Sequence, residues 1–478
     1  MITMKWLNYV ICQVRMNTVR PGTRSLACLL LATLPLVSQG ASTAAITAEG
    51  YVYGFPLVLM GETMQGLTGA ERVCGLGTDL NTFAHVFDRP DASFKAVVRP
   101  NVDTLYSSAM LDLAQGPLLL DMPAVPDRYV LMALLDAWSN NFAGVGTQSH
   151  GAGEGHYVIV GPNWEGSLPD GYERIDAPTN LVWIVGRTEV WGEEDIPQVN
   201  AIQTQYRLTP WAHEYQSSGI AGCIPASEKT PPIDVVKSLS TQEFFSRLSD
   251  LMILNPPPKE DAAMVRALGQ IGVGPEAYST QNSLSWRKRL AMEIGRRTAQ
   301  SSLVFATRLL GLTGWGPDPS LIPLGEYGQR YLIRAVVAQV GFGANRGEYA
   351  VYQNASRDSR HRLLGGKSVY TMTFPAEQLP PVKAFWSLTA YGSDGFLRDN
   401  PVAEQLGVSS YAVGSNTGLE PSADGSITIY MAAEPPAGAP LANWLPTPEG
   451  RFEVTIRLYD PRDAILKSEW KTPPIIRQ

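Results

Sequence analysis

Apolar and polar side chains alternate strictly near the end of this chain. Over Phe452–Tyr459, Phe452, Val454, Ile456 and Leu458 share one face while Glu453, Thr455, Arg457 and Tyr459 share the other, the period-two signature of a strand. The same reading predicts strands at Tyr370–Phe374, Phe385–Tyr391 and Ser426–Met431, with Ser387, Thr389 and Tyr391 opposite Trp386 and Leu388. Whether these two polar, aromatic-bearing faces meet solvent or wall a polar cavity, the pattern leaves open. An earlier set, Pro117–Met122, Tyr129–Asp136, Tyr157–Val160 and Leu181–Thr188, is punctuated by Pro-, Gly- and Asn-rich turns. Tyr129 to Leu135 is apolar on both faces and predicts a central strand.

Between the two sets the period changes to that of a helix. Ser240-Thr-Gln-Glu243 is a capping box, and Phe244, Phe245, Leu248, Leu251 and Met252 follow on one helical face. Further helices are predicted over Asp261–Leu268, Ser283–Leu310, closed by Gly311, and Glu326–Val340. An opening helix over Ala48–Thr63 is expected to kink or break at Pro56, with Tyr51, Tyr53 and Phe55 as core packing. The predicted fold is α+β. Two β-rich, sandwich- or barrel-like domains, residues 46–232 and 341–478, are joined by a mainly helical segment at 233–340 and preceded by a leader at 1–45.

The leader reading rests on order. Arg20 and Arg24 precede the apolar run Leu26–Val37, and small and polar residues follow from Ser38 to Ala45, the layout of a cleaved secretory signal. The run is about a dozen residues, short of the roughly 20 a membrane span requires. Export to the periplasm or beyond is expected, with no stable membrane span after processing. Cleavage removes Cys12 and Cys28 and leaves Cys74 and Cys223 as candidates for pairing in an oxidising compartment. Pairing requires Cα atoms within about 7 Å, a distance the sequence does not carry. A net charge of −7, with no basic run in the mature chain longer than the three residues Arg287-Lys288-Arg289, argues against nucleic acid as a partner; a homo-oligomer is left open.

Hydrogen-bonding side chains crowd into Arg99-Pro-Asn101-Val-Asp103-Thr104-Leu-Tyr106-Ser107, flanked by apolar runs. Buried polar groups must be paired or cost roughly 1–3 kcal/mol each. The cluster is therefore either a self-satisfied network or a ligand cradle. Asp136, at the end of the apolar strand, is a second candidate carboxylate. The loop His150-Gly-Ala-Gly-Glu154-Gly-His156 reads as a hairpin connection in preference to a metal site, and no metal or other cofactor is expected. Neither Cys74 nor Cys223 has a neighbouring histidine, so no catalytic thiol is assigned. Gly-x-Ser-x-Gly, His-Glu-x-x-His and P-loop motifs are missing, and five histidines give imidazole chemistry little to work with.

With those residues in hand, the chain resembles proteins that pair domain of unknown function 1254 (N-terminal) with domain of unknown function 1214 (C-terminal). The first resemblance is carried by Tyr51-Val-Tyr-Gly-Phe-Pro-Leu, Arg99-x-Asn101-x-Asp103-Thr104-Leu-Tyr106-Ser107, Gly161-Pro162-x-Trp164 and Pro178-Thr179-Asn-Leu-Val-Trp183 with Arg187. The second is carried by Pro380-Pro-Val-x-Ala-Phe-Trp386-Ser-Leu-Thr-x-Tyr391, Asp424-Gly425-Ser, Asn443-Trp444-Leu-Pro446 and Arg457-Leu-Tyr459. The resemblance implies two β-rich domains with helices between and before them. The chain departs from it after Gly144-x-Gly146, where Thr147-Gln148 stand in place of a basic residue, which puts an anionic-substrate contact there in question.

Two functions fit. The first is an exported, cofactor-free hydrolase or lyase acting on a small polar or carbohydrate-like molecule. Asp103 and Asp136 would be acid and base, Arg99 and Tyr106 would stabilise charge or hold the substrate, and Asn101, Tyr391, Asn443, Trp444 and Arg457 would complete the pocket. Had Asn101 to Ser107 formed a regular strand, Asp103 and Tyr106 would point to opposite faces, so joint action requires a turn. The second is a non-catalytic, ligand-binding or accessory protein of the envelope. Carboxyls of Asp103 and Asp136 about 5–10 Å apart would favour the first.

Overall fold

The computed structural model describes residues 41–95, 98–211, 222–275, 284–310, 315–316, 318, 323–408 and 411–478. The leader apart from 41–45, Cys12, Cys28 and Gly311 lie outside the described residues. The chain is α+β: four sheets occupy two β-rich stretches, a mainly helical stretch lies between them in sequence, and no sheet closes into a barrel among the described residues. It divides into a helical unit, up to residue 59 with 236–313 and 327–342, and a β-rich unit, 60–235 with 314–326 and 343–478.

The helical unit contains most of α1 (Thr43–Thr68), α2 (Thr241–Leu254), α3 (Ala262–Gly269), α4 (Trp286–Leu310) and α5 (Tyr331–Gly341). The expected break at Pro56 does not occur, and α1 runs through it. An interior proline removes one backbone bond at about 3 kcal/mol, offset here by a helix buried on every side, with Tyr51, Tyr53, Phe55, Leu57 and Met60 all in the core. Glycine permits that burial: a Cβ on Gly50 would stand 2.4 Å from Leu268 and one on Gly54 2.5 Å from Leu248. The capping box forms at Ser240 and Glu243 as the sequence predicts.

One polar clamp ties α2 to α4. Glu293 accepts from Thr241 Oγ1 at 2.5 Å, Arg296 Nη2 at 2.8 Å and Arg297 Nε at 2.6 Å. The Arg296 bond above all holds its carboxyl down at about 2. A depressed carboxylate stabilises the fold above its unfolded value near 4.5 and ceases to do so as the pH falls through its folded value. Glu293→Gln is therefore expected to lower stability by about 1 kcal/mol at neutral pH. The deficit, followed by denaturant melts, should shrink as the pH falls from about 4.5 toward 2; a deficit independent of pH would refute this account.

In the β-rich unit, β1 (Ala84–His85), β2 (Thr104–Asp112), β4 (Val130–Asp136), β5 (Asn141–Gly146) and β8 (Leu181–Glu189) form one sheet in the order β1-β2-β8-β4-β5. Facing it are β3 (Leu118–Met122), β6 (Gly155–Val160), β7 (Glu173–Asp176) and β9 (Arg207–Pro210), ordered β7-β6-β3-β9. Ala109, Leu111, Met132, Leu134, Val182 and Ile184 of the first sheet pack on Leu118, Leu120, Tyr157 and Ile159 of the second, a sandwich with one shared core.

The C-terminal stretch repeats this plan. β10 (Ala350–Ala355), β12 (Trp386–Gly392), β13 (Ala412–Gly414) and β16 (Phe452–Tyr459) pair as β10-β16-β12-β13. β11 (Tyr370–Phe374), β14 (Ile427–Ala432), β15 (Trp444–Pro446) and β17 (Ile476–Arg477) pair as β15-β14-β11-β17. The alternation read in Phe452–Tyr459 holds, with Phe452, Val454, Ile456 and Leu458 in the inter-sheet core. The opposite face is not solvated: Thr455, Arg457 and Tyr459 are buried too. Cys74 and Cys223 form a disulfide with Cα atoms 4.9 Å apart. No helix among the described residues is long and apolar enough to cross a membrane.

Candidate functional site

The polar faces left over from the two sandwiches converge. In the first, Tyr106 on β2 pairs across the ladder with Arg187 on β8, which pairs with Leu131 on β4. In the second, Tyr352 on β10 pairs with Arg457 on β16, which pairs with Ser387 on β12. Each central-strand arginine thus sits over a cross-strand tyrosine, Arg187 Cζ 5.2 Å from the Tyr106 ring and Arg457 Cζ 5.5 Å from the Tyr352 ring, an attractive cation–π geometry. Tyr352 feels both guanidiniums as well as the Tyr106 phenol.

Asp103 joins this group because the strand starts late. Asn101 Oδ1 accepts from Asp103 N at 2.8 Å, a local turn, and β2 begins only at Thr104. The turn delivers the Asp103 carboxylate to Ser387 Oγ, which donates at 2.5 Å, and to Tyr459 OH, which donates at 3.1 Å. Asn101 Nδ2 donates to Tyr459 OH at 2.9 Å and to Thr104 Oγ1 at 3.1 Å. Arg457 donates to Thr389 Oγ1 at 2.8 Å, Tyr391 OH at 2.7 Å and Arg99 O at 3.0 Å, and Tyr391 OH donates to Pro100 O at 2.7 Å. Asp103, Asn101, Tyr391 and Arg457 are thus brought together, as is Tyr106, whose phenol interacts with that of Tyr459.

The remaining assignments need correction. Asp136 cannot act with Asp103. Thr104 is level with Glu189 on β8 and Asp136 with Val182, so the two carboxylates occupy opposite ends of that strand, separated by roughly 20 Å at about 3.3 Å per residue. Asp136 instead accepts from Asn140 N at 2.8 Å and Asn140 Nδ2 at 2.9 Å, closing a turn. The Arg99 guanidinium is committed to Glu453, through Nε at 2.8 Å and Nη2 at 3.0 Å. Asn443 and Trp444 belong to the outer sheet of the second sandwich. Asn443 pins Glu420 and Thr428 through their backbones, and Trp444 is wholly buried with Nε1 donating to Ala432 O at 2.9 Å. At the turn after Gly146, Thr147 accepts from Val130 N, and Gln148 donates to Glu348 O and Asp460.

Five residues outside the sequence assignment belong to the site, Ser387 with its bond to Asp103 being one. Arg187, Tyr352 and Tyr459 line it, and the carboxylate that interacts with Asp103 is Glu189. Glu189 accepts from Tyr129 N and Trp191 Nε1, each at 2.9 Å, and from Asn416; burial raises its pKa. The signal for Arg187 was available: it stands, like Arg457, within a long and mostly apolar strand late in its β stretch. Burial, first among the causes, raises the pKa of Tyr352, Tyr391 and Tyr459, so these phenols stay neutral donors at physiological pH.

The family of proteins described as Protein of unknown function (DUF1254) matches residues 80–210, and Protein of unknown function (DUF1214) matches residues 349–463. The chain is a paired DUF1254–DUF1214 protein. The DUF1254 region carries Asp103, Tyr106 and Arg187, and the DUF1214 region Tyr352, Ser387, Tyr391, Arg457 and Tyr459, so the candidate site of this DUF1254–DUF1214 chain draws on both. The VPA0106 protein from Vibrio parahaemolyticus has a crystal structure similar to it, with a TM-score of 0.67 at 21% identity, over 91% of this chain and 100% of that one. That likeness concerns the fold. A structure of an uncharacterized protein from Burkholderia cenocepacia matches with a TM-score of 0.44 at 11% identity, over 99% of this chain and 94% of that one. No curated protein matches the chain.

Proposed function

We propose that this DUF1254–DUF1214 protein is a non-catalytic, small-molecule-binding or accessory protein of the cell envelope, with the ligand held between the Tyr106–Arg187 and Tyr352–Arg457 rows. The observation that carries the reading is the position of Tyr352. It lies among both arginines and the phenols of Tyr106, Tyr129 and Tyr459, yet as a residue it is only partly buried, as are Tyr106, Ser108 and Trp183, the exposure expected of rings that border a ligand site. Acid–base catalysis has less support: Asp136 is remote, Asp103 and Glu189 are engaged by protein donors, and the phenols are held neutral. The Cys74–Cys223 disulfide is compatible with an oxidising compartment.

Incubating the purified mature chain with glycosides, esters and amides tests this directly. The expected result is saturable binding of a small molecule with no turnover. Turnover abolished by Asp103→Asn in a folded variant would overturn the proposal and restore an enzyme.

A further inference from the structure

Arg187 is 5% exposed, and every hydrogen bond its side chain makes goes to a neutral oxygen. Nη1 donates to Val185 O at 3.3 Å and to Asn345 Oδ1 at 2.8 Å, and Nη2 to Gly343 O at 3.4 Å. Nε is buried and meets no acceptor. Both Nη1 hydrogens are therefore engaged, whereas Nε–H has no acceptor; Nη2 donates to Gly343 O, and the Tyr106 phenol also hydrogen-bonds the guanidinium. Nε and Nη2 share the edge on which a guanidinium grips a carboxylate or phosphate with two parallel bonds. The Nε of Arg457 is buried and unmatched in the same manner. The side chains that act on Arg187 electrostatically are phenols: Tyr106, Tyr352 and Tyr129.

A buried ion without a counter-charge is costly. Asp103 is a carboxylate that acts on Arg457, whereas the side chains acting most strongly on Arg187 are neutral phenols. Tyr106, Ser108 and Trp183 share the Arg187 face of the sheet by register, since Ser108 pairs with Val185 and Met110 with Trp183. Trp183 Nε1 donates to Ser108 Oγ at 2.9 Å, which holds the indole against the strand. An oxyanion seated on Arg187 would thus have aromatic walls for its body.

Resting on the ligand-binding reading above, we propose that the ligand is a small organic oxyanion, its carboxylate or phosphate on the Nε–Nη2 edge of Arg187 and its apolar or aromatic body against Tyr106, Tyr352 and Trp183. The mature full chain is titrated calorimetrically with benzoate, phenyl phosphate and neutral benzamide, at low and high salt. Expected is saturable one-site binding of benzoate or phenyl phosphate at least tenfold tighter than benzamide, with the preferred anion naming the head group. Arg187→Met should erase that tenfold preference, and Arg187→Lys, which keeps the charge but not the fork, should retain only part of it. Should the methionine variant fail to fold, the lysine variant with Tyr106→Leu decides: both must weaken the anion. Equal affinity for benzamide and the anions would overturn this inference and leave the ligand-binding reading standing. Anion binding indifferent to Arg187 would overturn it as well, and no binding by any of the three would count against both.

Discussion

Replacing Cys74 and Cys223 together by serine is expected to destabilise the β-rich unit by about 4–5 kcal/mol. The bridge closes a segment of 149 residues, and in the chain-entropy account the restriction it places on the unfolded chain grows with the logarithm of that length, reaching about 5 kcal/mol here. In the folded chain the bridge is supported locally: Cys74 N donates to Ile224 O and Ile224 N to Arg72 O, each at 2.9 Å. Urea unfolding followed by tryptophan fluorescence should show the loss. Reductant should impose the same loss on the parent chain and none on the serine variant. A change under about 1 kcal/mol would mean that the unfolded chain is already held compact by other means.

Trp444→Ala is expected to cost about 3–5 kcal/mol, the usual range for emptying an aromatic site in a core. The side chain has no exposed surface and its indole N–H is matched by Ala432 O. Affinity for any ligand of the Arg187 recess should be unchanged in material that remains folded. A tryptophan serving as a stacking platform for a sugar would behave in the opposite way, losing affinity with little change in stability. Unfolding midpoints and binding isotherms on the same preparation separate the two roles.

Strand identity was legible in the sequence wherever one face meets a core, because burial enforces a period of two. Phe452–Tyr459 is found with the bounds read from the alternation, and the strand predicted at Leu181–Thr188 extends by only one residue. Pro56 misled because local propensity argues for a broken helix, whereas the packing of α1 lies in distant residues such as Leu248 and Leu268. The site was half legible. Asn101, Asp103, Tyr106, Tyr391 and Arg457 meet, since each stands on a polar stripe or a turn visible in one dimension. Asp136 was misplaced because two residues at the ends of apolar strands look alike until register is known, and register is a pairing between segments. Asn443 and Trp444 were misread for a related reason: an Asn-Trp pair has the same letters whether it meets a ligand or the backbone of Glu420 and Ala432.

The opposition of Arg187 to Tyr106 and Leu131 across three strands has a bearing on how the first sandwich assembles. Sliding β8 by one residue would turn every side chain to the other face of the sheet and drive the guanidinium among Ala109, Met132 and Leu134, where nothing could solvate it. A misaligned β8 is thus penalised at one position more heavily than by the loss of any single apolar contact. The residue argued to receive an anion in the finished protein would in that way also proofread strand alignment during folding.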